Sequence, residues 1–153
     1  MHNLLFKVGR TREGMLFEGA FVVLALLVWA FALLLLHHTP DMAPTHLELS
    51  GQPDQYQSKW HLLVSCIILS LAALSCLVLA YFPHLANLPV SVNNSRQAAL
   101  VVRMSRTLAL GLLLFVPALA LRLTTGSPIL GWVVAGLIVL ILMVFTWLVH
   151  RAR

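Results

Sequence analysis

Seven of the twelve His, Asp and Glu residues in this chain lie between residues 37 and 61. His37, His38, His46 and His61 share that segment with Asp41, Glu48, Asp54 and Lys59. Neutral imidazole and carboxylate bind Zn²⁺ or Cu²⁺, which makes His37, His38, His46 and Asp54 the candidate metal ligands. His46 beside Glu48 or Asp54 also has the composition of an acid–base pair. Against both readings, no His-x-x-x-His helix motif, cysteine ligand, Ser or Cys nucleophile motif, Gly-rich phosphate loop or zinc-protease signature accompanies these residues. A non-enzymatic role without a resident cofactor is expected, with a Zn²⁺ or Cu²⁺ site as the lesser reading.

The same segment has a local grammar. From Pro44 to Ser50 polar and apolar residues alternate, which predicts a short strand with His46, Glu48 and Ser50 on one face. Ser50-Gly51-Gln52-Pro53 stops it as a turn. Asp54 is placed to cap a helix that starts near Tyr56, and Lys59 and Trp60 suit a boundary between water and lipid. In one reading His46, Asp54 and Lys59 hydrogen-bond and ion-pair into a compact cap. In the other, that cap captures a ligand, a peptide or a lipid headgroup.

Pro44-x-His46 followed by Gly51, Asp54 and Lys59, with Tyr56 and Ser58 between them, resembles the signature loop of the SdpI-like family. Its members are small bacterial membrane proteins carrying a domain of unknown function, named after an immunity protein against a secreted peptide toxin. The stretch from Leu88-Pro89-Val90 to Asn94 and Arg96 is similar to the family's next segment, so the resemblance runs from about Leu33 to Leu110. It implies a loop that follows the first membrane helix and leads into the second. It also implies that Pro44, His46, Glu48, Gly51, Asp54, Tyr56, Ser58 and Lys59 bind a ligand or organise the loop. A peptide toxin is then one expected partner.

The elements that position this loop come from composition. Of the 153 residues, 60% are hydrophobic and 10% charged, whereas soluble domains average about half and about a quarter. The excess falls into four apolar blocks, at about 15–36, 62–82, 104–121 and 129–149. At about 1.5 Å rise per residue each is long enough to cross a hydrocarbon core of about 30 Å. The expectation is an all-α integral membrane protein of four transmembrane helices, a single domain over 1–153, with loops at 37–61 and 83–103. The first block is too long for a signal core and lacks a small-residue cleavage site, so it reads as a retained helix. Pro117 predicts a kink in the third. Cys66 and Cys76 are ten residues apart on one helix, about 15 Å of rise, too far for a disulfide. Ala72, Cys76 and Ala80, and Gly131 and Ala135, recur at every fourth position and invite close helix approach.

Lys and Arg set the orientation. Lys7, Arg10, Arg12, Arg96, Arg103, Arg106, Arg151 and Arg153 flank the blocks on one side, and only Lys59 and Arg122 on the other. The positive-inside rule therefore predicts both termini in the cytoplasm and the 37–61 loop outside a bacterial inner or plasma membrane. Arg96, Arg103 and Arg106 share one face at 100° per residue and read as lipid-headgroup contacts. The formal charge of +5 is thus a membrane signal, and nucleic acid is not an expected partner. No acidic residue lies near the centre of a span, which disfavours a transporter. Membrane lipids are expected partners, as is a larger membrane complex if the chain is an accessory subunit.

Overall fold

A computed structural model describes residues 9–47, 53–85, 92–125 and 127–152, the side chains of 43–47, 53–54, 57, 84 and 123–125 excepted. Helix α1 (Arg12–His38) leads into strands β1 (Met42–Leu47) and β2 (Pro53–Ser58), and α2 (Lys59–Leu79) follows directly. A 3-10 turn at Pro83–Leu85 precedes α3 (Ser95–Leu113), α4 (Phe115–Thr125) and α5 (Ile129–Arg151).

Four helical segments are long and apolar enough to cross a membrane: α1, α2, the α3–α4 pair as far as Arg122, and α5. This architecture is consistent with a multi-pass membrane protein. Mean hydropathy reaches 2.8 in α1, α2 and α5 but only 1.8 in α3–α4. Burial runs the opposite way, with half of α3–α4 inside the protein against 22% of α1 and α2 and 6% of α5. The least apolar segment is therefore the central one. That inversion is expected in lipid, where apolar surface costs nothing and close packing is selected instead.

The helix ends follow from named caps and breaks. Thr11 caps α1, its hydroxyl accepting from Gly14 N at 3.0 Å. Asn94 caps α3 by accepting from Gln97 N at 2.8 Å. The helix expected to begin near Tyr56 begins instead at Lys59, with Ser58 as cap. Residues 53–58 are spent in pairing with β1, and the helix cannot start until that ladder ends. The loop expected at 83–103 turns helical at Ser95, from where α3 runs unbroken into the apolar block.

The kink expected at Pro117 falls at Leu114, where α3 gives way to α4. Pro117 offers no N–H to the carbonyl of Leu113, and its ring crowds the preceding turn. The chain tightens there, with Leu114 N on Gly111 O at 3.1 Å, and resumes with Ala118 N on Leu114 O at 3.3 Å.

The core is built on small residues of the central segment. One cluster joins Val28, Leu36, Leu62 and Cys66 to Val116 and Ala120, and a second joins Phe21, Ala73 and Leu77 to Ala109 and Leu113. Ala73, Ala80 and Ala109 are completely buried. At Gly111 a Cβ would lie 2.8 Å from Ile138 Cδ1, so the missing side chain is what lets α5 approach α3. Gly131, which belonged to the expected small-residue spacing, has open space around it. Trp29 reaches from α1 to α2, donating Nε1–H to Ser70 Oγ at 3.0 Å, which satisfies an indole that lipid could not.

Candidate functional site

The two ends of the bundle hold the polar residues. At one end sit the hairpin and the start of α2, with β1 lying beside α4. The strands pair antiparallel, Met42 opposite Ser58, Ala43 opposite Gln57 and Pro44 opposite Tyr56. The register then slips twice, first between Pro44 and His46, then between His46 and Leu47, before Leu47 meets Pro53. Thr45 on β1 and Asp54 on β2 are the extra residues. Such bulges re-aim side chains and gather next to functional sites. Two prolines within the ladder contribute no donors, which weakens regular pairing in the same place. The simple alternation expected from Pro44 onward does not carry through these slips.

The base of the hairpin is closed by Asp41. Its carbonyl accepts from Lys59 N at 2.9 Å and its Oδ1 lies 3.0 Å from Lys59 Nζ. The first turn of α2 contains no acidic residue, and Lys59 places a cation at the positive end of the helix dipole. Asp41 supplies the anion that this turn lacks. Its side chain is 92% exposed, so the pair holds geometry more than it adds stability. Tyr56 and Trp60 are exposed beside it. His61 Nδ1 lies 3.3 Å from Ser58 O, and the rings of His37 and His38 meet edge to face at 5.4 Å in the last turn of α1.

Of the residues singled out from the sequence, Pro44 and His46 lie on β1, Asp54, Tyr56 and Ser58 on β2, and Lys59 opens α2. Backbone pairing brings these six into one hairpin. Glu48 and Gly51 lie outside the described residues, as do the side chains of Pro44, His46 and Asp54. Among the described residues no group of three or more His, Cys, Asp or Glu is placed to hold a metal ion. Sequence reasoning gave Asp41 no structural role, although an acid just before a strand whose partner is followed directly by lysine was a readable signal.

The opposite end gathers the start of α1, the end of α2 and the start of α3. Glu13 accepts two hydrogen bonds from Arg103, from Nε at 2.8 Å and Nη2 at 3.1 Å. Glu18 accepts from the Tyr81 hydroxyl and from Arg10 Nη2, the latter at 2.7 Å. Arg106 is 3% exposed, its guanidinium 5.8 Å from the Tyr81 ring centre. Arg106 Nη2 sits only 2.6 Å from where a Cβ on Gly14 would be, so this arginine rests on the bare backbone of the first turn of α1. The three arginines of α3 that share a face are therefore unlike one another. Arg96 is exposed, Arg103 is tied to Glu13 and Arg106 lies inside.

The same end carries a junction missed in the sequence. Gln97 is fully buried, donating from Nε2 to Val149 O at 3.0 Å and accepting from Asn93 N at 2.8 Å. Asn94 donates from Nδ2 to Ala152 O at 3.0 Å. The two amides thus cap the start of α3 with their oxygens and the end of α5 with their nitrogens. Asn94-x-x-Gln97 is a capping-box pattern, legible locally; its hold on α5 was not.

Four helices long and apolar enough to cross a membrane, with a hairpin between the first two, are consistent with a multi-pass membrane protein. Residues 23–71 match the family model described as a domain of unknown function, DUF1648. The matched segment covers most of α1, the whole hairpin and the first half of α2, about a third of the chain. No curated protein and no solved structure matches the chain.

Proposed function

We propose that this is a non-enzymatic bacterial membrane protein of SdpI-like type, with both termini in the cytoplasm and the hairpin outside, where it binds a ligand or peptide in a protective role. The observation that carries this is an overlap, with the Pro44-x-His46 to Lys59 pattern and the bulged hairpin both lying inside the DUF1648 match at residues 23–71. Eight of the ten Lys and Arg residues flank the opposite end, which supports the orientation. In this reading Pro44, His46, Glu48, Gly51, Asp54, Tyr56, Ser58 and Lys59 form or organise the binding surface, and Asp41 fixes its base.

Two experiments test it. Expression of the chain in bacteria sensitive to secreted peptide toxins should confer protection, and Lys59→Ala should weaken it while leaving the protein in the membrane. Purification in a mild detergent, followed by mass spectrometry and elemental analysis, separates the other readings. A stoichiometric partner protein would make the chain an accessory subunit instead. Stoichiometric zinc or copper, lost on His46→Ala, would make the hairpin a metal site.

A further inference from the structure

Charge bookkeeping at the arginine end does not close. Arg10, Arg12, Arg103 and Arg106 meet there with two carboxylates, Glu13 and Glu18. Glu13 is taken up by Arg103, and Glu18 by Arg10 and Tyr81. The chain has five acidic residues in all, and Asp41, Glu48 and Asp54 belong to the hairpin segment. That segment lies beyond the far end of the 27-residue α1, about 40 Å away at about 1.5 Å per residue. Among the described residues no other side-chain carboxylate lies at the arginine end. Its Nη2 is buried and has no hydrogen-bond partner. Glu13 and Glu18 both lie within electrostatic range of Arg106 and Tyr81 contacts it, but those carboxylates are already engaged elsewhere, so a buried Nη2 without a partner of its own is still disfavoured.

The surroundings of Nη2 favour an anion. Arg106 points at the first turn of α1, the positive end of a 27-residue helix dipole, where a second positive charge is unfavourable by itself. In that turn Gly14 N is used by the Thr11 hydroxyl and Met15 N by the Thr11 carbonyl. The backbone N–H groups of Arg12 and Glu13 have no acceptor inside the helix. Helix-terminal amides, a hydroxyl and a guanidinium nitrogen without a hydrogen-bond partner are the donor set of a phosphate site.

We infer that Arg106 and the first turn of α1 bind a phosphate-bearing anion, a phospholipid headgroup or soluble phosphate. The lipid source rests on the membrane orientation proposed above; the charge argument does not, so the two can fail separately. The test is native mass spectrometry of the full chain in non-ionic detergent, titrated with phosphatidylglycerol or phosphatidylcholine. A parallel thermal-unfolding series compares inorganic phosphate with chloride at matched ionic strength.

Wild type should retain one phosphatidylglycerol with about tenfold preference over phosphatidylcholine. Arg106→Gln should lose that preference, and Arg96→Gln, an exposed arginine at the same end, should keep it. Stabilisation by inorganic phosphate in wild type but not in Arg106→Gln would assign the site to soluble phosphate. Equal losses in Arg96→Gln and Arg106→Gln would mean a diffuse basic surface and overturn the inference. So would a wild-type protein that neither prefers phosphatidylglycerol nor responds to phosphate, a result independent of how any variant folds.

Discussion

The hairpin end and the arginine end solve the same problem, holding polar residues at the edge of an apolar bundle, in opposite ways. At the hairpin end the partners are close in sequence: an exposed Asp41 pairs with a half-buried Lys59 across one hairpin, and Tyr56 and Trp60 stand outward. At the arginine end the partners come from distant parts of the chain, and some of them lie inside. Glu13 meets Arg103 and Glu18 meets Tyr81, while Gln97 and Arg106 are buried. The first arrangement leaves a surface available to a partner. The second locks three spans together. In the proposed reading, function-bearing and fold-bearing chemistry are separated to the two ends.

That contrast orders the effects of substitution. Gln97→Leu should be the most damaging, because it removes the buried donor to Val149 O and the tie it makes between α3 and α5. A loss of about 3 kcal/mol is expected, read as a large drop in thermal stability in detergent. Gly14→Leu should follow, at about 2 kcal/mol, by driving its side chain into Arg106 and Thr11. Arg103→Gln removes a bidentate but half-exposed pair and should cost about 0.5 kcal/mol, less at high salt. Lys59→Ala should change stability least, by a few tenths of a kcal/mol, roughly the value of an exposed pair. If Lys59→Ala destabilised more than Gln97→Leu, the division of labour between the ends would be wrong.

Much of the fold was legible because lipid imposes a simple requirement. Four runs of apolar residues had to be helices, and Pro117 had to disturb one of them. The hairpin was half legible. Alternation and a Gly-Pro turn announced a strand, but a single strand says nothing about what it pairs with. Residues 53–58 were consequently read as a capped helix start, whereas pairing with 42–47 holds them extended. The arginine end was least legible. Arg96, Arg103 and Arg106 fall on one face by periodicity, yet their different fates depend on Glu13 and Gly14, about 90 residues away on α1. Local pattern cannot express a contact of that range. The motif residues at the hairpin were visible for the converse reason: their spacing is short and fixed.

The separation of the two ends has its most direct test in the topology of the membrane-inserted protein. Single cysteines at positions 55 and 96, both exposed, would be introduced after replacing Cys66 and Cys76 with alanine. Intact cells would then be treated with a membrane-impermeant maleimide before and after permeabilisation. The account predicts labelling of position 55 in intact cells and of position 96 only once the membrane is opened. Labelling of position 96 in intact cells, with position 55 protected, would contradict it.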